Sequence, residues 1–208
     1  MAKVFAFSGG CHSGKTTTMN KVAELLEARG YTVKKLSELM REVAPIKDID
    51  SLRKSPRLYL WTQEKIISEK ISQEEKAFAD TSDCIYLVDR AITDSLFYLE
   101  HYVDKSDLKD NWLDRFCTLD AKARKHMHRA FSHGLYTAVI QFKPIDNITE
   151  QDAYRPKRLD LMAKYEYQCI GHMNAGAPQG SMLILHEHKQ GVEFLTNYLI
   201  KLIEDLNI

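Results

Sequence analysis

A chain of 208 residues with 29 Lys and Arg balanced by 29 Asp and Glu suits one globular domain with a full central sheet. It has no global field toward nucleic acid or a membrane surface, so any polynucleotide partner must be held by a local patch. Cys11, Cys84, Cys117 and Cys169 stand far apart with no C-x-x-C pair, which argues against a zinc site or a disulfide framework and for a reduced, cytoplasmic setting. No apolar run is long enough to span a bilayer, and a strand follows the N-terminus without a basic-then-apolar leader. The expectation is a soluble, unprocessed protein with no membrane partner.

Val4-Phe5-Ala6-Phe7 reads as a first buried parallel strand ending at Ser8. Directly after it, Gly9-Gly10-Cys11-His12-Ser13-Gly14-Lys15-Thr16 fits G-x-x-x-x-G-K-[ST] at every fixed position. The chemistry of such a loop needs these residue types. Gly9 and Gly14 let the backbone bend so that successive N–H groups converge on a polyphosphate. Lys15 brings a point charge to the β and γ oxygens, and Thr16 offers a hydroxyl to Mg²⁺. From Thr17 a helix is predicted over 17–29, with Met19, Val22, Ala23, Leu25 and Leu26 at helical spacing before Gly30. Its N-terminus aims at the same phosphates. The competing reading is a glycine-rich turn that binds nothing.

A second strand is predicted over 31–36, after which Ser37 has the character of an N-cap for a short helix over 38–43. Glu38 and Arg41 then stand just past a strand end, where open parallel α/β sheets bind their ligands. Residues 44–54 read as a polar, irregular connector, and Pro56 opens a long helix over 57–79 with a core stripe of Leu60, Ile67, Ile71 and Phe78. Tyr59, Trp61 and Gln63 lie near its start. An aromatic there is core in the plainer reading, but a nucleobase site would need an apolar face and an amide to read an edge, which Tyr59 and Gln63 would supply.

The third strand, 84–88, runs into Asp89-Arg90. A strand closing on Asp delivers a carboxylate to the Mg²⁺ edge of a phosphate site, and the adjoining Arg can neutralise phosphoryl charge. The alternative is an Asp capping the next helix, predicted over 93–102 and bearing Asp94 and Tyr98 as candidate hydroxyl contacts. Residues 104–136 form the least legible stretch. They carry a basic cluster of Lys122, Arg124, Lys125, His126, His128, Arg129 and His133, which reads as a solvated helix face or as a polyanion surface. A fourth strand is predicted over 136–142. The polar segment 145–160 holds Arg155 and Arg158, placed where a phosphate-transfer enzyme would set a lid. A helix over 159–173, a fifth strand over 182–186 and an amphipathic closing helix over 191–207 complete the chain.

These residues together resemble the nucleoside and nucleotide kinase branch of the P-loop proteins, in particular the small kinase-like ATPases of phages and of the ribosylnicotinamide kinase group. The resemblance rests on the loop 9–16, on Glu38-x-x-Arg41-Glu42, on Asp89-Arg90 and on Asp152-x-x-Arg155. It implies one domain over 1–208, an α/β P-loop NTPase three-layer fold in which a five-stranded parallel sheet carries helices on both faces, with a helical insertion at 104–136 and a lid at 145–160. It implies ATP on Gly9, Gly10, Cys11, His12, Ser13, Gly14, Lys15, Thr16 and Thr17. Mg²⁺ would sit at Thr16 and Asp89, Glu38 near the acceptor hydroxyl, and Arg90, Arg155 and Arg158 on phosphates. Relatives read the base with a Gln late in the long helix, where this chain has Lys70 and Gln73. An N-K-x-D signature and a D-x-x-G switch after the third strand, which a G-protein would carry, are missing.

The expected activity is transfer of a phosphoryl group from ATP to a nucleoside or nucleotide held by Glu38, Arg41, Tyr59, Gln63, Asp94 and Tyr98. Two alternatives stand beside it. One is a kinase acting on a hydroxymethylated base such as 5-hydroxymethyluracil in phage DNA, gripped by Lys122, Arg124, Lys125 and Arg129, which would place the protein in the host cytoplasm. The other is a nucleotide-dependent switch or assembly ATPase. Pairing into a homodimer is compatible with each.

Overall fold

The computed structural model of the protein describes residues 1–10, 13–44, 49–103, 105–109, 111–143, 171, 182–187 and 191–206, without the side chains of 41, 49, 50, 107 and 206. Cys11, His12, the side chain of Arg41, the 145–160 segment with Arg155 and Arg158, and almost all of the helix expected over 159–173 therefore lie outside the described residues.

Five strands make one sheet: β1 (Lys3–Gly9), β2 (Val33–Leu36), β3 (Ile85–Asp89), β4 (Ala138–Phe142) and β5 (Met182–His186). The order is β2-β3-β1-β4-β5 and every pairing is parallel. β1 is central because it is apolar on both faces, as a strand covered on both sides must be. Its Val4 and Ala6 join the core on one face, with Leu60 and Ile67 of α4 (Pro56–Ala79), Leu96 and Phe97 of α5 (Ile92–Tyr102), and Phe116 and Leu119 of α6 (Asn111–Ser132). Phe5 and Phe7 join the other, with Val22 and Leu26 of α1 (Lys15–Ala28) and Leu195 and Leu199 of α7 (Val192–Leu206). The expected three layers and five parallel strands are present.

The register of β1 places the functional ends side by side. Phe7 stands opposite Asp89 of β3, and Gly9 opposite Phe142 of β4. The loop, the Asp89-Arg90 step and the end of β4 therefore emerge from the same carboxyl edge of the sheet, where ligands bind in this architecture.

Two expectations are corrected. The segment read as an irregular connector contains a short helix, α3 (Ile49–Arg53), whose Leu52 is fully buried. A single buried residue in a polar stretch leaves no period to read. Ser37 does not cap the next helix: α2 (Met40–Val43) has Leu39 at its N-cap, and the Ser37 hydroxyl donates to Glu42 Oε1 at 3.0 Å. The insertion is mainly α6, which buries Phe116, Leu119, Ala123, His126, Met127, Ala130 and Phe131 against the sheet's helical layer.

Candidate functional site

The loop requires its glycines. Gly9 has φ 150°, and a Cβ there would stand 2.9 Å from both Phe142 Cβ and Ser13 Oγ, closer than carbon tolerates. Gly14, at φ 71°, is the left-handed N-cap of α1, a conformation that strains any residue bearing a Cβ. α1 has no side-chain cap and no acidic residue in its first turn, so its positive end is left for an anion. Lys15 is 5% exposed and curls back to donate from Nζ to Gly10 O at 2.7 Å and to Ser13 Oγ at 3.3 Å. Ser13 Oγ in turn donates to Gly10 O at 2.9 Å.

Beyond the loop, Thr16 Oγ1 donates to Asp89 Oδ2 at 2.6 Å. Two residues 73 apart in sequence, both expected at the metal, are thereby in direct contact. Asp89 is 2% exposed, and its second oxygen, Oδ1, is buried with no hydrogen-bond partner among the described residues. A buried carboxylate oxygen left unpaired is costly, and a hydroxyl and a carboxylate at this spacing are the hard oxygen donors that Mg²⁺ takes. The residues fit that ion.

Arg90 is the pivot of the site. Its N–H continues the ladder by donating to Phe7 O at 3.0 Å, yet its φ is 71°, the only positive value outside glycine among the described residues. Such a conformation costs roughly 1–2 kcal/mol and collects at functional sites, where surrounding contacts over-determine it. Those contacts are on the side chain. Nε donates to Glu38 Oε1 at 2.8 Å, and Nη1 to Tyr98 Oη at 3.2 Å and to Gly9 O at 3.4 Å. One guanidinium thus joins the phosphate loop to the carboxylate at the end of β2.

Arg90 and Asp89 also form one wall of a cavity open to solvent. Its other walls are Ser37, Glu38, Leu39, Met40, Tyr59, Gln63, Ile66, Lys70, Ser95, Tyr98 and Tyr102. Tyr98 stacks on Tyr102 with ring centroids 5.6 Å apart, giving flat apolar surface. Gln63 is 3% exposed and lines the cavity, where an amide can pair with a ligand edge.

The structure thus brings together Lys15, Thr16, Glu38, Asp89, Arg90, Tyr59, Gln63 and Tyr98. Asp94 is the exception. It is fully buried beneath the loop, where Oδ2 accepts from Ser8 Oγ at 2.8 Å and Ala91 N at 2.9 Å and Oδ1 accepts from Gly9 N at 3.3 Å. Burial pushes its carboxyl up, while Arg90 and Lys15 oppose the shift. It anchors the loop to α5 and does not line the cavity. Ser95, Leu39 and Tyr102 were not singled out from the sequence, and Lys70 was named only as standing where relatives carry a base-reading Gln. The available signal was spacing, since Lys70 lies seven residues, two helical turns, beyond Gln63 on the same face of α4.

Part of the basic cluster on α6 is engaged with acids. Arg124 pairs with Asp120 and Glu100, Arg129 with Glu75, and Lys122 Nζ donates to Ser68 Oγ at 3.2 Å. His126 is 6% exposed and faces Glu74. Among the described residues, no helix is long and apolar enough to cross a membrane.

A family model described as "AAA domain" matches residues 4–179. Among solved structures, 204 chains match, so the architecture by itself selects no activity. One, a NadR protein in complex with NAD and AMP-PNP, superposes with a TM-score of 0.66 at 14% identity. That match covers 98% of this chain and 49% of the other, so this chain spans about half the length of NadR, and the likeness is one of fold. No curated protein sequence matches.

Proposed function

Because the chain belongs to the AAA domain family, a P-loop NTPase family, we propose that it is a Mg²⁺-dependent phosphotransferase moving the γ-phosphoryl group of ATP to a hydroxyl or phosphate of a nucleoside or nucleotide. The observation that carries this reading is the double engagement of Arg90. It touches the loop at Gly9 O and the cavity carboxylate Glu38, so donor and acceptor sites share one cation. A protein that only hydrolyses ATP has no use for a second, aromatic-walled cavity on the far side of that cation.

The roles follow from position. Lys15 and the α1 N-terminus bind the triphosphate and neutralise charge where it builds in the transfer. Thr16 and Asp89 would hold Mg²⁺, which neutralises phosphate charge when bound. Glu38, held by Arg90, orients the acceptor hydroxyl and takes its proton. Arg90 stabilises the transferring group, a role that Arg155 and Arg158 would share from the 145–160 segment, with Arg41 on the acceptor side. Tyr59 and Gln63 supply an apolar face and an edge-reading amide for a nucleobase. The pairing of the α6 cations with Glu75, Glu100 and Asp120 weakens the polynucleotide reading and favours the small acceptor.

The test offers labelled ATP and Mg²⁺ with a mixed nucleoside and nucleotide pool in one reaction, and with plain and hydroxymethylated DNA in another. Label is expected in the small pool, falling by about 10²–10³-fold in Lys15→Ala, the loss typical of one preorganised donor. Label on DNA alone would overturn the acceptor. Release of phosphate with no labelled acceptor would favour a switch ATPase.

A further inference from the structure

Lys70 has no role in the chemistry above, yet it is a lysine on the buried face of α4, 2% exposed. Taking an ammonium out of water is costly unless it is paired and hydrogen-bonded, and burial lowers its pKa. Its Nζ donates to the main-chain oxygen of Asp89 at 3.0 Å and lies 3.6 Å from Glu74 Oε1. Glu74 is fully buried, and its Oε2 meets His126 Nε2 of α6 at 2.8 Å. The opposite ring nitrogen of His126 faces Glu75 at 3.1 Å, and Glu75 pairs with Arg129. A line of ionisable side chains therefore runs from α6 through the helical layer to a single backbone carbonyl.

That carbonyl belongs to the peptide joining Asp89 to Arg90, the step at which the chain turns left-handed. Its N–H end is held by Phe7 O and its C=O end by Lys70. With both ends tethered the peptide plane has one orientation, and that orientation sends the Asp89 carboxylate to Thr16 and the Arg90 guanidinium to Glu38. We propose that Lys70 is a positioning residue that clamps the Asp89–Arg90 peptide, and that Glu74 of α4, held in turn by His126 of α6, supplies the counter-charge that keeps the clamp in place. The proposal rests on the roles given to Asp89 and Arg90 above and assigns a purpose to the helical insertion.

A merely structural ion pair predicts a different outcome, because removing both charges of a buried pair together is often close to neutral. The decisive protein is the double variant Lys70→Met/Glu74→Gln, which removes the ion pair and leaves an amide as partner for His126, beside Lys70→Met, which strands the Glu74 carboxylate and can fail to fold. Three readouts are taken without any acceptor: thermal melting, the ¹⁵N–¹H resonance of the Arg90 amide in the nucleotide-free protein, and ATP affinity by calorimetry with and without Mg²⁺. The double variant is expected to melt near the wild type and to bind metal-free ATP unchanged. Its Arg90 resonance is expected to move, and its gain in ATP affinity on adding Mg²⁺ to shrink by about tenfold, the scale of an outer-shell loss. An unmoved resonance with an intact Mg²⁺ gain would overturn the clamp and leave the kinase reading standing. So would a double variant that does not fold, since the pair would then serve the fold. A protein that phosphorylates no acceptor would sink the kinase reading without touching these three measurements.

Discussion

Replacing Arg90 by alanine and, separately, by glycine divides its backbone strain from its side-chain chemistry. Both variants lose the bonds from the guanidinium to Glu38, Tyr98 and Gly9, so on that count they are equal. They differ at φ 71°, where a Cβ costs about 1–2 kcal/mol and glycine pays almost nothing. Against this, glycine has about 0.4–1 kcal/mol more chain entropy to lose on folding. The difference leaves the glycine variant more stable than the alanine variant by about 0.5–1 kcal/mol. At about 2–4 °C per kcal/mol for a chain of this size, that is a Tm higher by about 1–4 °C in the nucleotide-free protein, read by calorimetry or circular dichroism. Phosphoryl transfer in both should fall by about 10²–10³-fold, as for loss of one preorganised donor. An alanine variant that melts at or above the glycine variant would refute the strained turn. Near-normal transfer by either would refute the role of the guanidinium.

The two carboxylates of the site are expected to separate by assay. Glu38→Gln should lower turnover with ATP affinity nearly intact, whereas Asp89→Asn should weaken Mg²⁺-dependent ATP binding, and the opposite pattern would exchange their roles. Away from the site, Asp80 at the end of α4 is held well below the usual carboxylate range by Lys34 first and then by Ser82 and Tyr86. A depressed folded pKa contributes stability that is present above the unfolded value of about 3.9 and is lost as pH falls below it. Asp80→Asn should therefore melt below the wild type at pH 7, with the gap closing under about pH 4; a gap independent of pH would refute the pairing.

The local chemistry of the phosphate loop was legible in the sequence. Gly9, Gly14, Lys15 and Thr16 act through backbone freedom, charge and a hydroxyl, and their spacing along one short segment is itself the geometry. The five strands were legible for a related reason. Central parallel strands are buried on both faces, so residues 4–7, 84–88 and 138–140 had to be continuous apolar runs, and the strand ends then pointed to Glu38, Asp89 and Arg90. What the tertiary structure alone decided is pairing between residues distant in sequence. Asp94 read as a cavity residue because only its position in α5 was visible, while its partners Ser8 and Gly9 lie 85 or so residues away. The cations of α6 left a solvated face and a polyanion surface both open, because sequence shows their sign and hides Glu75 and Glu100, brought alongside Arg129 and Arg124 by α4 and α5. Lys70 stood out only as the residue where relatives carry a base-reading Gln, since nothing local says that a lysine is buried or that its partner is a main-chain oxygen on β3. Short-range sterics and hydrophobic period are written along the chain, but the partner that satisfies a buried charge is chosen only when packing removes the water that would otherwise serve.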